Sequence, residues 1–341
     1  MKTASSLLAH LMGALLAFSL SGAAFACPNA AHKERVVRDP SSVAGMLYAG
    51  NFKALDAAVI HHRRADATMP DGRPTLPGFY VELTHTADGN CEASLDEAPW
   101  KELRARLEQW RSHTRDRSAP ALALAILDVS EGWKARGGGF AGTVSEEGNA
   151  RFQARVARGR AALEKLRAVA KIDPSWYDAM LDVGLAQGWD KEHYALLLDQ
   201  AIGAYPYYFP LYFTATRYYT EKWHGSPGDM DALIEKAVAA TRARQGQTMY
   251  ARLHWLLDDQ SSFPKNVDWP RMKTGFDDML KDFPDNWNRN NYAHFACYAN
   301  DAVAFKSQAD YVKTNYIPAV WGNRRSFDIC QQFADSKVAK P

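Results

Sequence analysis

Cysteine is scarce in this chain, with four in 341 residues. No two are spaced Cys-x-x-Cys, which argues against a thiolate zinc site. The ten histidines hold no His-Glu-x-x-His or comparable spacing, so the expectation is a chain without metal or cofactor. An excess of one charge sign is also missing. Lys+Arg 41 against Asp+Glu 39 leaves a formal net charge of +2, too little to mark a nucleic-acid partner. Beyond residue 26 no apolar run reaches the roughly 20 residues a bilayer span requires. No stretch alternates apolar and polar residues over a strand's length, so strands are at most minor.

The apolar material that is present, 47% of residues with 12% aromatic, is enough for a substantial core. It begins with a leader-like segment. Lys2 precedes an apolar run from Leu7 to Leu20, and Ala24-Phe25-Ala26 stands before Cys27. This pattern predicts a signal peptide over residues 1–26 and a periplasmic or secreted mature chain. In an oxidising compartment the four cysteines suggest two disulfides. Chain proximity favours Cys27 with Cys91 and Cys297 with Cys330. A cysteine directly after the cleavage point also allows a lipid anchor at Cys27, although Ala24 and the bulky Phe25 fit ordinary cleavage better.

Helical periodicity dominates the remainder. Trp100, Leu103, Leu107 and Trp110 recur at one helix face, as do Leu122, Ile126, Val129 and Trp133. Phe152, Val156, Leu163, Leu166 and Ala170 follow, with Gly159 in the missing slot, then Met272, Phe276, Met279 and Phe283, and Phe305, Ala309, Val312 and Tyr316. Ser118, Asp173, Asp190, Asp229 and Asp301 stand where helices should open. Pro174, Pro206, Gly246 and Pro284 punctuate helical runs at separations of 32, 40 and 38 residues. That is near the roughly 34-residue period of tetratricopeptide helix pairs. The expected fold is all-α: irregular antiparallel helix-turn-helix repeats in a compact right-handed array. The expected organisation is residues 27–95 as an N-terminal helical and loop segment, 96–322 as the repeat domain and 323–341 as a tail.

Several short segments carry a resemblance. Trp223-His224-Gly225-Ser226-Pro227-Gly228 closes a helix, and Trp133-Lys134-Ala135-Arg136-Gly137 and Asp173-Pro174-Ser175-Trp176-Tyr177 lie upstream. Downstream come Met249-Tyr250-Ala251-Arg252, Trp269-Pro270-Arg271-Met272-Lys273, and Phe295-Ala296-Cys297 followed by Asp301. In this order, over residues 45–321, they resemble an uncharacterised bacterial family known as domain of unknown function four-zero-three-four. The resemblance implies a tetratricopeptide-like α-helical domain and supplies no activity and no catalytic residues. His224 departs from the pattern, where glycine is the usual residue.

Chemistry-bearing patterns are few. Gly137 to Gly142 fits Gly-x-Gly-x-x-Gly, but a helix precedes it where a dinucleotide site needs a strand, so it reads as an interhelix loop. His224 beside Ser226 lacks the strand-to-helix elbow of a hydrolase. His294 and Tyr298 share a helix face and read as a buried pair. His61-His62-Arg63-Arg64 reads as an exposed helix end. Residues 101–171 carry 15 Lys+Arg against 8 Asp+Glu, and Arg151, Arg155 and Arg158 form a basic stripe suited to an acidic partner. The densest feature is aromatic: nine rings lie between Tyr205 and Trp223. On a helix over 209–223, Tyr208, Tyr212 and Tyr219 share a stripe near Trp223, and exposed tyrosines would form a binding surface. The expectation is therefore an envelope adaptor that binds an unknown protein or peptide without catalysis. Two alternatives stand beside it. One is a periplasmic hydrolase assembled from distant residues such as His224, His254 or His294, and the other is a lipid-tethered scaffold.

Overall fold

The computed structural model describes residues 37–85, 95–257 and 267–338. About 75% of it is helical and no strand occurs among the described residues. An isolated antiparallel bridge joins Thr68 and Pro74. The fold is all-α, as the periodicity predicts. None of the described helices is long and apolar enough to cross a membrane. The expected leader, Cys27 and Cys91 lie outside the described residues.

The chain divides into two compact units between Met249 and Tyr250. The first holds α1 (Val43–Tyr48), α2 (Phe52–His62), α3 (Leu76–Thr84), α4 (Ala98–His113), α5 (Ser118–Arg136) and α6 (Glu146–Lys165). It continues with α7 (Ser175–Gln187), α8 (Lys191–Ala204), α9 (Pro210–Tyr218) and α10 (Asp229–Gln245). The expected division near residue 95 is absent, because α1–α3 pack into the same unit as the helices that follow. The reason is electrostatic as well as apolar. Fully buried Asp173 accepts from Arg63 Nε at 2.8 Å, from the Tyr80 hydroxyl at 2.6 Å and from the Ser175 amide at 3.0 Å. Arg63 also reaches Asp116 at 3.1 Å and Ser118 at 3.0 Å. So Arg63 is not part of an exposed basic helix end; it ties α2 to the turn before α7.

The expected apolar faces are largely buried. Trp100, Leu103, Leu107 and Trp110 of α4 and Phe152, Val156 and Leu163 of α6 are all core residues. Helices α5 and α6 approach closely because glycines line their contact. A Cβ at Gly159 would meet Val129 Cγ2 at 2.7 Å and the Ala125 carbonyl oxygen at 3.1 Å. The capping chemistry is equally local. Asp190 accepts from the His193 amide at 2.8 Å and Asp301 from the Ala304 amide at 2.9 Å, satisfying donors that a first turn leaves free. Ser118 and Asp229 instead sit as first helical residues.

The second unit contains α11 (Thr248–Leu256, most of which falls here), α12 (Trp269–Asp282), α13 (Asn286–Tyr298), α14 (Ala302–Thr314), α15 (Pro318–Trp321) and α16 (Arg324–Val338). The segment expected as a tail is thus helical through Val338. Phe327, Cys330 and Ala334 recur at helical spacing and are buried. Cys330 bonds to Cys297 of α13, with a Cα–Cα distance of 5.7 Å, which is the second of the two expected pairings. Fully buried Asn290 organises the loop between them. Its Nδ2 donates to the carbonyls of Asn286 and Asn315, each at 2.9 Å. Its Oδ1 accepts from the Ile317 amide at 3.1 Å and Trp321 Nε1 at 3.0 Å. The buried amide is therefore fully satisfied, which is the condition for burying one at all.

Candidate functional site

The tyrosine stripe is core, not surface. Tyr208 is buried with its hydroxyl 2.9 Å from Ser175 Oγ. Tyr212 is buried and donates to the Pro206 carbonyl at 2.8 Å. Tyr219 is half-buried, edge-on to Tyr194 and Tyr218. Helix α9 stops at Tyr218 instead of running to Trp223. A phenol that finds a nearby backbone acceptor buries almost as readily as phenylalanine, so ring density alone marked packing.

The basic stripe is also consumed within the fold. Its acceptors are Asp128 and Glu131 of α5, both nearly inaccessible. Arg155 pairs with Glu131 at 2.8 Å, and Arg158 pairs with Asp128 through Nε at 2.9 Å. From the other side, Arg104 of α4 reaches Asp128 at 2.7 Å and Glu131 at 3.2 Å. Arg151 donates to the Leu95 carbonyl at 2.8 Å and pairs with Glu97 at 3.2 Å. Arg155 and Arg158 thus neutralise buried carboxylates, and Arg151 is tied to the start of α4, so the stripe is not a free face for an acidic partner.

Trp223 is the candidate that remains on the surface, half-buried, and it meets a residue from far upstream. Its ring stands edge-on to Trp133 of α5, with centroids 5.6 Å apart and planes at 87°. Trp133 also packs on Phe152 at 4.9 Å. Trp133 Nε1 donates to Asp182 of α7 at 2.9 Å, and Arg217 of α9 donates to the same carboxylate at 3.0 Å while lying 5.0 Å from the Trp133 ring centre. The Arg136 guanidinium lies 5.1 Å from the Trp223 ring centre and 5.7 Å from that of Trp133. Four elements and one turn thus converge: α5, α6, α7, α9 and the Trp223–Gly228 turn.

The turn's shape is set by Gly225. A Cβ there would lie 2.0 Å from the Tyr219 carbonyl oxygen, so any other residue must displace backbone. The His224 amide donates to Tyr218 at 3.1 Å and that of Gly225 to Thr220 at 3.0 Å. The His224 ring turns away from Ser226 and packs 4.8 Å from Tyr218, with Nε2 3.3 Å from the Leu185 carbonyl. Ser226 instead accepts from Lys191 Nζ at 2.7 Å. The pair forms no nucleophile–base couple. The neighbouring glycine run is a loop, as expected, with Gly137 at φ 71° and a short 3-10 turn over Ala141–Thr143.

One carboxyl at this cluster is held against its preference. Desolvation pushes part-buried Asp178 up to about 6, with nearby Asp182 adding to the rise, although the Thr214 hydroxyl donates to Asp178 at 2.6 Å and opposes it. The fully buried Tyr194 hydroxyl has no hydrogen-bond partner among the described residues and lies within electrostatic reach of Asp182, Asp178 and Arg217. A raised folded-state carboxyl stabilises below its unfolded value, near 4, and loses that contribution as pH rises toward 6. Asp178→Asn should therefore flatten the fall in melting temperature between pH 4 and pH 7 while keeping the Thr214 bond. An unchanged profile would remove Asp178 as its cause.

The candidate histidines each pack against aromatic rings within their own unit, His224 in the first and His254 and His294 in the second. His254 lies against the Tyr250 ring at 4.3 Å. His294 sits among Tyr298 at 4.5 Å and Trp321 at 4.9 Å, and burial pushes its imidazole down to about 4. Among the described residues no group of three His, Cys, Asp or Glu could hold a metal. Two clefts lie elsewhere: one of about 640 Å³ beside Arg111 and Ser118, and one of about 240 Å³ beside Trp189 and His193. Neither is lined by Trp133, Arg136 or Trp223. No protein family, curated protein or solved structure matches this chain.

Proposed function

We propose that this protein is an exported bacterial helical-repeat module that binds a peptide or protein segment and performs no catalysis itself. The observation that carries the reading is the half-exposed Trp133–Trp223 pair, braced by Arg136, Arg217 and Asp182. Rigid aromatic rings with a guanidinium beside them are the side chains most enriched at binding hot spots. The leader-like residues 1–26 support the envelope as the place of action. The test is selection of a displayed random-peptide library on the purified chain, followed by titration of the recovered peptides. Binding should fall at least about tenfold in Trp223→Ala, with the melting curve of the variant retained. Recovery of no binding peptide, or of peptides indifferent to Trp223, would sink the reading.

A further inference from the structure

We infer that the Trp133–Trp223 surface takes a carboxylate-bearing peptide segment, with Arg136 as the counter-ion of the carboxylate and Lys222 as a second, outer cation. This rests on the peptide-binding reading and adds the chemistry of the ligand.

The first argument is comparative. Every other part-buried arginine described between residues 37 and 249 has a carboxylate within ion-pair distance; Arg63, Arg104, Arg155 and Arg217 are examples. Arg136 has none among the described residues. Carbonyls and rings brace it but bring no counter-charge, while burial and the neighbouring Arg217 both work against its charge. A guanidinium nonetheless stays charged at any physiological pH. An anion placed there would supply the counter-ion that the described residues do not.

The second argument is orientation. Arg136 Nη1 donates to the carbonyls of Gly137 at 3.0 Å and Gly139 at 3.1 Å. Three rings, Trp133, Phe152 and Trp223, lie within 5.9 Å of its central carbon. The guanidinium is fixed by one nitrogen and its stacking, leaving further N–H groups to meet a partner. A guanidinium edge matches a carboxylate in bidentate geometry.

The third argument is the company it keeps. The glycine loop that holds Arg136 also presents Phe140, 71% exposed, with Lys222 Nζ 4.9 Å from its ring centre. Lys222 likewise has no carboxylate partner among the described residues. Two cations separated by apolar rings suit an acidic segment with aromatic or aliphatic neighbours. They do not form the ring of converging donors that a phosphate group requires.

The experiment uses the full mature chain and two labelled pools of short peptides with equal Phe, Tyr and Gly content. One pool carries Glu and Asp, and the other carries Gln and Asn in their place. By fluorescence anisotropy the acidic pool should bind about tenfold more tightly, equivalent to about 1.4 kcal/mol. Arg136→Gln should bring the acidic pool to within about threefold of the neutral pool and leave the neutral pool unchanged. Lys222→Ala, at an exposed side chain that lies over Phe140, gives a second variant safe for folding and should cost about threefold. Equal binding of both pools to the unaltered chain overturns the inference and leaves the peptide reading standing. The same holds if neither Arg136→Gln nor Lys222→Ala affects the acidic pool. Binding of neither pool overturns both. Capture of phosphatidylglycerol vesicles without the acidic pool overturns the inference in favour of a lipid surface.

Discussion

Glu131→Ala should destabilise the first unit by about 3–5 kcal/mol, the usual cost of stripping one partner from a buried ion pair. Glu131 is almost wholly inaccessible, and both Arg104 and Arg155 address it. Removing the carboxylate leaves Arg155 with Glu97 at 3.9 Å, and Arg104 sharing Asp128 with Arg158. The excess positive charge then sits between α4, α5 and α6 with reduced access to water. Urea denaturation should show the shift as a lower midpoint at an unchanged slope. Arg158→Ala should cost only about 1 kcal/mol or less, because that side chain is nearly half exposed and water can replace it. Equal effects from the two substitutions would mean that burial does not govern the network. The double variant Glu131→Ala/Arg155→Ala should recover part of the loss, since it removes one of the orphaned cations along with the carboxylate.

The second large effect belongs to the other unit. Replacing Cys297 and Cys330 together with serine should cost about 3–4 kcal/mol, the chain-entropy value for a closed loop of this length. The loop spans 33 residues and contains α14 and α15 with the buried Trp321. Differential scanning calorimetry should show the loss in the transition of the second unit. Hydrogen exchange should rise first in α16, whose buried Phe327 and Ala334 would lose their covalent tether to α13. A calorimetric trace that matches the unaltered chain would show that packing around Asn290 and Trp321 holds the helix by itself.

Much of the fold is written in helical spacing. The 4-3-4 faces at Trp100–Trp110, Phe152–Leu163 and Met272–Met279 pointed inward as drawn, and Asp190 and Asp301 capped the helices they precede. Helix α16 escaped notice because its buried positions, Phe327, Cys330 and Ala334, are thinly set among arginines, glutamines and aspartates. A buried cysteine and a small alanine carry little weight in such a pattern, though both lie on its core face. The site was less legible for a different reason. Spacing places Arg151, Arg155 and Arg158 on one face but says nothing about acceptors on another helix. The available clue was on α5, where Asp128 and Glu131 follow an apolar run from Ala119 to Leu127, and carboxylates in that setting need cations from elsewhere. Tyr208 and Tyr212 misled because a phenol's value as a surface group disappears once an oxygen inside the fold lies within reach, the Ser175 hydroxyl for one and the Pro206 carbonyl for the other. Asp182 and Arg217 were not singled out, and Arg136 entered only within the Trp133–Gly137 segment. Their meeting with Trp223 depends on chain segments about 90 residues apart, and only the tryptophan-bearing motifs hinted at it.

The enclosure of Asp128 and Glu131 gives ionic strength an unusual diagnostic value in this molecule. Mobile ions weaken attraction between exposed charges once the Debye length falls to about 10 Å or less, near 0.1 M salt. Pairs shut away from solvent are screened far less. Rising salt should therefore leave the fold nearly as firm as before while loosening any anion drawn to Arg136, which has no counter-ion among the described residues, and to exposed Lys222. Sodium chloride alone would then separate what the protein is made of from what it holds.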